Sequence, residues 1–274
     1  MSLTIDSDFI EKKRRGLQFS LDHMPQVIEK IRYRVKPISL ENCYSSLAND
    51  HLVIGLFEYF INQNSERLKQ NLHTACQLKL ADIAIDSYQK FEVGSEILYA
   101  LLSDSPGMVE EMANLKPSHF LSARDNPLHS QFQVHMWQLA IQGDYTALEA
   151  KAGHLAKNGR KADHMLAAQG KDFFSLLMRA DKSGLESLIR QHADVCSRDA
   201  LTEDYLSYLA TIEAKLCWYR GIPAEIDHPL VPMDLMPIRP LAHYDDVYDF
   251  LYPDWVPPTQ GLMWKLSRLL GKRT

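Results

Sequence analysis

Eight of the chain's thirteen prolines, Pro223, Pro229, Pro232, Pro237, Pro240, Pro253, Pro257 and Pro258, fall between residues 222 and 258. Each removes a backbone donor and restricts the residue before it, so no long helix survives there. The preceding 220 residues carry the other five, and along them apolar side chains recur at helical spacing. Leu68, Leu72, Ala75, Cys76 and Ile83 share one face, interrupted by the stem of Lys79. Strand-like alternation is scarce. The fold class predicted is all-α: an antiparallel helical bundle or array of helical hairpins over 1–220. A proline-rich irregular segment and a short basic helix, 221–274, then pack on the same domain.

Periodicity and punctuation predict helices at 8–20, 25–36, 40–63, 65–87, 93–103, 106–115, 128–142, 144–157, 161–180, 183–194 and 203–220. Pro25 and Pro106 stand where a first-turn proline loses no helical hydrogen bond, and Asp104 or Ser105 can cap the helix at Pro106. Gly143, Gly159 and Gly221 follow helical runs, where a left-handed cap favours glycine. The segment 40–63 is apolar on two faces, which places it centrally. Gly143-Asp144-Tyr145-Thr146-Ala147-Leu148-Glu149 is echoed by Ala180-Asp181-Lys182-Ser183-Gly184-Leu185-Glu186, each after an aromatic-rich stretch. Two stacked hairpins of tetratricopeptide type would give that spacing, although a solenoid needs at least three copies to bury a continuous core.

The proline-rich segment is also the most acidic. Glu225, Asp227, Asp234, Asp245, Asp246, Asp249 and Asp254 stand against a single Arg239, a formal −6 where the whole chain carries −5. Tyr244, Tyr248, Phe250, Tyr252 and Trp255 are interleaved with them, and such side chains seek burial or a partner. Tyr244, Asp245, Asp246, Tyr248, Asp249, Tyr252, Asp254 and Trp255 are therefore the candidate partner-binding residues. The competing reading is that the aromatics fasten the segment to the helices while the aspartates stay solvated. Beyond it, Leu262, Leu266, Leu269 and Leu270 face away from Lys265, Arg268, Lys272 and Arg273, a basic amphipathic stretch able to cover the acidic one or to lie on an anionic membrane.

The acidic balance and pI near 6.1 argue against a dedicated nucleic-acid binder. Lys12-Lys13-Arg14-Arg15 follow Asp6, Asp8 and Glu11, an order that the helix dipole favours, so a solvated helix face is expected there. The N-terminus lacks a signal-peptide pattern, no 18-residue apolar run occurs, and Cys43, Cys76, Cys196 and Cys217 form no C-x-x-C pair. Free buried thiols, no membrane span and a cytoplasmic location are expected.

Motifs that carry chemistry are few. Asp245-Asp246-Val247-Tyr248-Asp249 has the D-D-x-x-D spacing with which helical isoprenoid synthases hold magnesium, since carboxylates one turn apart can share a hard cation. The second metal motif of those enzymes has no strict copy here. Asp-His occurs four times and the metal-binding order His-Asp never. His73 and Cys76 make only half a site. Phosphate-binding glycine loops and a G-x-S-x-G elbow are absent. No cofactor, no metal and no catalytic residue is predicted, and the chain is expected not to be an enzyme.

The run Glu213-Ala214-Lys215-Leu216-Cys217-Trp218-Tyr219-Arg220-Gly221-Ile222-Pro223-Ala224-Glu225-Ile226-Asp227-His228-Pro229-Leu230-Val231-Pro232 resembles the tail of the immunity protein 49 family of bacterial polymorphic toxin systems. The resemblance covers the last third in sequence and the remainder in pattern. It implies an immunity protein that binds and neutralises a cognate protein toxin without catalysis. A cationic nuclease or a nucleotide-targeting domain is a partner suited to an acidic surface. The alternatives are a tetratricopeptide-like scaffold and, more remotely, a magnesium-dependent helical enzyme built on Asp245–Asp249.

Overall fold

The computed structural model describes residues 6–35, 38–85, 91, 94–195, 202 and 204–258. Twelve α-helices lie among them: α1 (Ser7–Tyr33), α2 (Leu40–Phe60), α3 (Ser65–Ile85), α4 (Ser95–Ser103), α5 (Pro106–Asn114), α6 (Ser118–Ala123), α7 (Ser130–Gln142), α8 (Tyr145–Asn158), α9 (Lys161–Ala168), α10 (Phe173–Met178), α11 (Lys182–Asp194) and α12 (Tyr208–Tyr219). Two 3₁₀ turns, Met233–Leu235 and Asp249–Leu251, punctuate the proline-rich segment, and the described residues contain no strand. The fold is all-α, as the periodicity requires. No described helix is long and apolar enough to cross a membrane. The basic stretch Leu262–Arg273 and Cys196 lie outside the described residues, while Cys43, Cys76 and Cys217 are buried free thiols.

Chain neighbours pack as hairpins, α1 on α2, α2 on α3, α3 on α4, α7 on α8 and α11 on α12. α2 is central as predicted: Leu47, Leu52, Leu56 and Phe57 are all buried. The main core joins α2–α5 to α7, α10, α11 and α12, and a second, smaller core lies between α1, α2 and α3. Helix ends meet their hydrogen-bond needs through side chains. Gln138 Nε2 donates to the carbonyls of Met112 and Leu115, both at 2.9 Å, and Gln142 Nε2 donates to that of Ala113 at 2.7 Å, satisfying the exposed end of α5.

Several sequence expectations are corrected. The helices expected at 8–20 and 25–36 are one, α1, which runs through Pro25. The proline leaves the Leu21 carbonyl without its helical donor, but Leu21 is 46% exposed, and Val27 and Ile31 beyond it are buried and hold the helix in place. The single helix expected at 161–180 divides at Gly170, which adopts φ +62° while Lys171 N–H closes back on the Leu166 carbonyl at 2.9 Å. Asp172 then caps α10, accepting from Phe174 and Ser175 N–H at 3.1 Å each. α6 was not foreseen. Gly143 and Gly221 are left-handed at φ +74° and +77°, but Gly159 is extended; it is held small because a Cβ there would stand 2.6 Å from the Leu155 carbonyl oxygen. Pro106 opens α5 as predicted, yet Ser105 makes no side-chain cap and Asp104 turns inward to an ion pair.

The 37-residue echo is a repeated turn. After α7, Gly143 is left-handed, Asp144 N–H bonds to the Leu139 carbonyl at 3.1 Å, and Asp144 Oδ1 caps α8 through Ala147 N–H at 3.0 Å. After α10, Ala180 is left-handed at φ +52°, Asp181 N–H bonds to the Leu176 carbonyl at 3.0 Å, and Asp181 Oδ1 caps α11 through Gly184 N–H at 3.0 Å. The helices before the two turns differ, thirteen residues against six, so the repetition belongs to the connection alone.

Candidate functional site: an acidic strap on the helices

Residues 222–258 lie on the bundle, held by groups from α1, α2, α3, α4 and α12. The deepest attachment is ionic. Asp104, left-handed at the end of α4, pairs with Lys215 of α12 at 2.6 Å and with Lys69 of α3 at 2.9 Å, and the side chains of Asp104 and Lys215 are fully buried. One carboxylate thus faces two ammonium groups, and the backbone of the strap supplies the rest of their solvation. Lys215 Nζ donates to the carbonyls of Leu235, Met236 and Pro237 at 2.6, 3.2 and 3.4 Å, and Lys69 Nζ to that of Arg239 at 2.7 Å. Arg239 N–H returns to Asp104 Oδ2 at 3.2 Å. Burial pushes the Lys215 ammonium below its ordinary pKa, and the charge of Asp104 opposes that shift.

Further along, a polar stripe on α3 receives the strap. Gln70 mimics a strand partner, accepting from Asp245 N–H at 2.9 Å and donating to its carbonyl at 3.0 Å, and Gln77 Nε2 donates to Asp246 Oδ1 at 2.7 Å. Tyr244 stacks on His73 with ring centroids 4.7 Å apart, and its hydroxyl donates to the Ser103 carbonyl at 2.7 Å. Tyr248 is buried, and its hydroxyl meets His51 Nε2 at 2.8 Å. His51 Nδ1 faces Asn71 Oδ1 at 2.7 Å, which assigns the proton to Nδ1 and leaves Nε2 to accept from the tyrosine. Burial lowers the His51 pKa, consistent with that neutral tautomer. Phe250 stacks on Tyr248 at 4.8 Å and touches Tyr44 and Trp255, while Arg34 lies over the Trp255 ring at 5.6 Å.

The candidate residues therefore separate by direction. Tyr244, Tyr248 and Trp255 turn toward the helices, with Phe250 beside them. Asp245, Asp246, Asp249 and Asp254 are exposed, together with Val247 and Tyr252, which are 46% and 47% exposed. Asp249 is tethered to Arg32 at 2.9 Å and keeps about half of its side chain in solvent, 52%. The aromatic anchors fix the backbone, and the carboxylates stay in solvent, Asp246 and Asp249 with one helix contact each.

The D-D-x-x-D run lacks the helix that its one-turn spacing supposes. Residues 245–248 are not helical, so Asp245, Asp246 and Asp249 do not share a helix face, and Asp246 and Asp249 reach toward α3 and α1 respectively. Among the described residues no group of three or more His, Cys, Asp or Glu is placed to hold a metal ion. His73 and Cys76 diverge, His73 Nδ1 to Ser105 Oγ at 3.1 Å and Cys76 Sγ to the Glu96 carbonyl at 3.8 Å. The basic run is less solvated than expected: Lys13 is packed, pairing with Asp204 at 2.7 Å beneath the Tyr205 ring, while Arg14 and Arg15 pair loosely with Glu11. Trp137 is buried against Tyr208, and Tyr145 and Phe173 line separate depressions, so these aromatics of the two echoed segments share no groove.

A cavity of about 520 Å³ between α7, α10, α11 and α12 had no motif to announce it. Phe132 and Met136 come from α7, Phe173 and Phe174 from α10, Leu188 and His192 from α11, and Leu209 and Glu213 from α12. His192 Nδ1 and Glu213 Oε2 are 2.7 Å apart. Burial alone would lower the imidazole pKa, but the hydrogen bond and charge of Glu213 outweigh it and hold His192 above its ordinary value. Burial raises the Glu213 carboxyl, and His192 pulls it back. The two residues are 21 positions apart on different helices, so only the packing reveals the pair. Compared with family models, with curated proteins and with solved structures, the chain matches none of them.

Proposed function

We propose that the chain is an immunity protein that binds a basic protein toxin through the outer edge of the acidic strap and neutralises it without catalysis. The observation that carries this reading is the division of labour within residues 244–255. Buried rings and backbone hydrogen bonds hold the chain while Asp245, Asp246, Asp249 and Asp254 stay exposed, Asp246 and Asp249 also touching Gln77 and Arg32. A rigid row of like charges is poor for folding and good for docking, because the ordering cost is met before the partner arrives. Complementary charge then accelerates encounter with a cationic surface, and the exposed Val247 and Tyr252 supply apolar contact at its centre. The resemblance of residues 213–232 to an immunity family points the same way. In this reading Tyr244, Tyr248 and Trp255 position the surface rather than touch the partner.

The test is co-expression with the product of the adjacent gene, followed by purification of the complex. Rescue of growth and a stable complex are expected, with association slowed by salt and by Asp245→Asn/Asp246→Asn/Asp254→Asn. Neither rescue nor co-purification would remove the proposal. Rescue that is indifferent to the triple substitution would move the interface elsewhere on the molecule.

A further inference from the structure

Tyr244 and Tyr248 each rest on a histidine, but the two histidines are bonded differently. His51 of α2 is buried, and the polarity of its hydrogen bonds is fixed from outside. Asn71 Nδ2 donates to the Arg67 carbonyl at 2.8 Å, which turns Asn71 Oδ1 toward His51 Nδ1 as an acceptor. His51 Nδ1 therefore carries the proton, and Nε2 is left to accept from the Tyr248 hydroxyl 2.8 Å away. Tyr248 is 4% exposed, and its hydroxyl makes no other hydrogen bond among the described residues. A proton added at Nε2 sets two donors against each other. The hydroxyl can turn to accept, but its own hydrogen then lacks an acceptor in a buried site, and the imidazolium beside it is cut off from water. Lifting of the strap relieves both costs at once.

The surrounding charges supply no remedy. Burial lowers the His51 pKa more than Asn71 and the carboxylate of Asp50 raise it, and Asp50 Oδ2 is already held by His23 of α1 at 2.8 Å. Arg32 of α1 brings positive charge to the Tyr248 side, where Asp249 is engaged with it at 2.9 Å. His73 of α3 is the contrast. It stacks on Tyr244 and feels the charge of Asp246, so a proton there gains a ring face and a carboxylate. Lys215 and Lys69 hold residues 235–239 through carbonyls, which acid does not titrate.

We propose that His51 is an acid-operated latch on the strap: a proton taken up at Nε2 expels Tyr248 and lifts residues 246–255 from the helices, while residues 233–241 stay docked. That the latch governs toxin binding rests on the strap being the docking edge, whereas the latch itself does not.

Hydrogen exchange of the full chain without a partner, at pH 7 and pH 5, tests this once protection is corrected for the intrinsic exchange rate. Protection over 246–255 should fall severalfold, to a ceiling of about 25-fold for one proton bound at an ordinary imidazole pKa of about 6.5. Protection over 233–241 should hold. His51→Gln offers Tyr248 an amide oxygen that does not take up a proton in this range, so the fall over 246–255 should vanish. Imidazole nitrogen resonances of the wild type should show an unprotonated His51 Nε2 for as long as the Tyr248 ring stays docked, and they decide alone if His51→Gln does not fold. The latch is overturned by an imidazolium at position 51 beside a docked Tyr248, by an equal fall in His51→Gln, or by undiminished protection of 246–255 at pH 5. Such a result leaves toxin docking standing, and failure of the co-expression test leaves the latch standing.

Discussion

Replacing Asp104 by asparagine should destabilise the protein more than replacing either lysine that it serves. Asparagine tolerates the left-handed backbone of this position, so the substitution removes charge with little backbone strain. In the native arrangement one anion serves two cations, and strap carbonyls solvate the excess positive charge. Asp104→Asn leaves Lys215, fully buried, and Lys69, nearly so, with no counter-charge. Breaking a buried ion pair by removing one partner costs about 3–5 kcal/mol, and two pairs share this partner, so a loss of about 4 kcal/mol or more is expected. Lys215→Met acts differently. It orphans the carbonyls of Leu235, Met236 and Pro237, but the Asp104–Lys69 pair that remains is electrically balanced, so a loss of about 2–3 kcal/mol is expected. Lys69→Met should cost least, about 1–2 kcal/mol, because it frees a single carbonyl, that of Arg239. For a chain of this size 1 kcal/mol corresponds to about 2–4 °C, which puts Asp104→Asn about 8–16 °C below wild type. Urea unfolding with intrinsic fluorescence gives the three losses. Hydrogen exchange at Arg239 N–H, which is bonded to Asp104, reports whether the strap loosens. A Lys215→Met cost equal to or above that of Asp104→Asn would refute the charge-balance argument.

Three further outcomes follow from local geometry. Ala180→Gly should stabilise the chain by about 0.5–1 kcal/mol, since φ +52° penalises a Cβ and the equivalent position of the first turn is Gly143; a lower urea midpoint would contradict it. Tyr248→Phe should cost about 1–2 kcal/mol by leaving His51 Nε2 without its donor, and the His51 imidazole resonances should shift; an unchanged stability would show that ring packing alone holds the strap. His135 is lowered to about 4 by burial first and then by the charges of Lys151 and Arg124. The unfolded chain therefore takes up a proton between its ordinary pKa and that value, so stability is full above about pH 6.5 and falls as pH drops toward 4. The partly solvated imidazole should contribute about 1–2 kcal/mol over that window, and His135→Gln should flatten this part of the profile in urea melts between pH 4 and 7; an unaltered slope would assign the acid sensitivity to other groups.

Helix positions were legible because an amphipathic face repeats locally, and α3 shows how far that goes. Its apolar residues Leu68, Leu72, Ala75, Cys76 and Ile83 identified the face that enters the core. The opposite stripe, Lys69, Gln70, His73 and Gln77, reads in sequence as an ordinary wet surface. Its role appears only when residues more than 160 positions away are laid on it. Pro25 illustrates the converse error. A local rule places it at a helix start, yet the burial of Val27 and Ile31 outweighs the lost hydrogen bond and carries α1 through it. At 161–180 the helical spacing of apolar residues continues across Gly170 although only α10 enters the main core, with Met165 and Leu166 of α9 exposed, and the following Asp172 cap is the local signal of the break. The cavity was invisible for a stronger reason: His192, Glu213 and Asp172 belong to three separate elements and are individually unremarkable.

The strap itself shows why composition located a surface without resolving it. Seven carboxylates in thirty-seven residues would repel one another in a free segment, and proline would keep that segment extended. What draws it down is the cationic and amide-rich lining presented by the helices: Lys69 and Lys215 at one end, Gln70 and Gln77 in the middle, Arg32 and Arg34 at the other. The lysines bind strap carbonyls rather than strap carboxylates, and Asp104, which belongs to the bundle, supplies their counter-charge. Attachment therefore consumes little of the strap's own negative charge, with Asp246 and Asp249 the two carboxylates that these helix side chains engage. A segment anchored through its backbone and its rings retains its acidity for the solvent side, and there a basic partner can meet it.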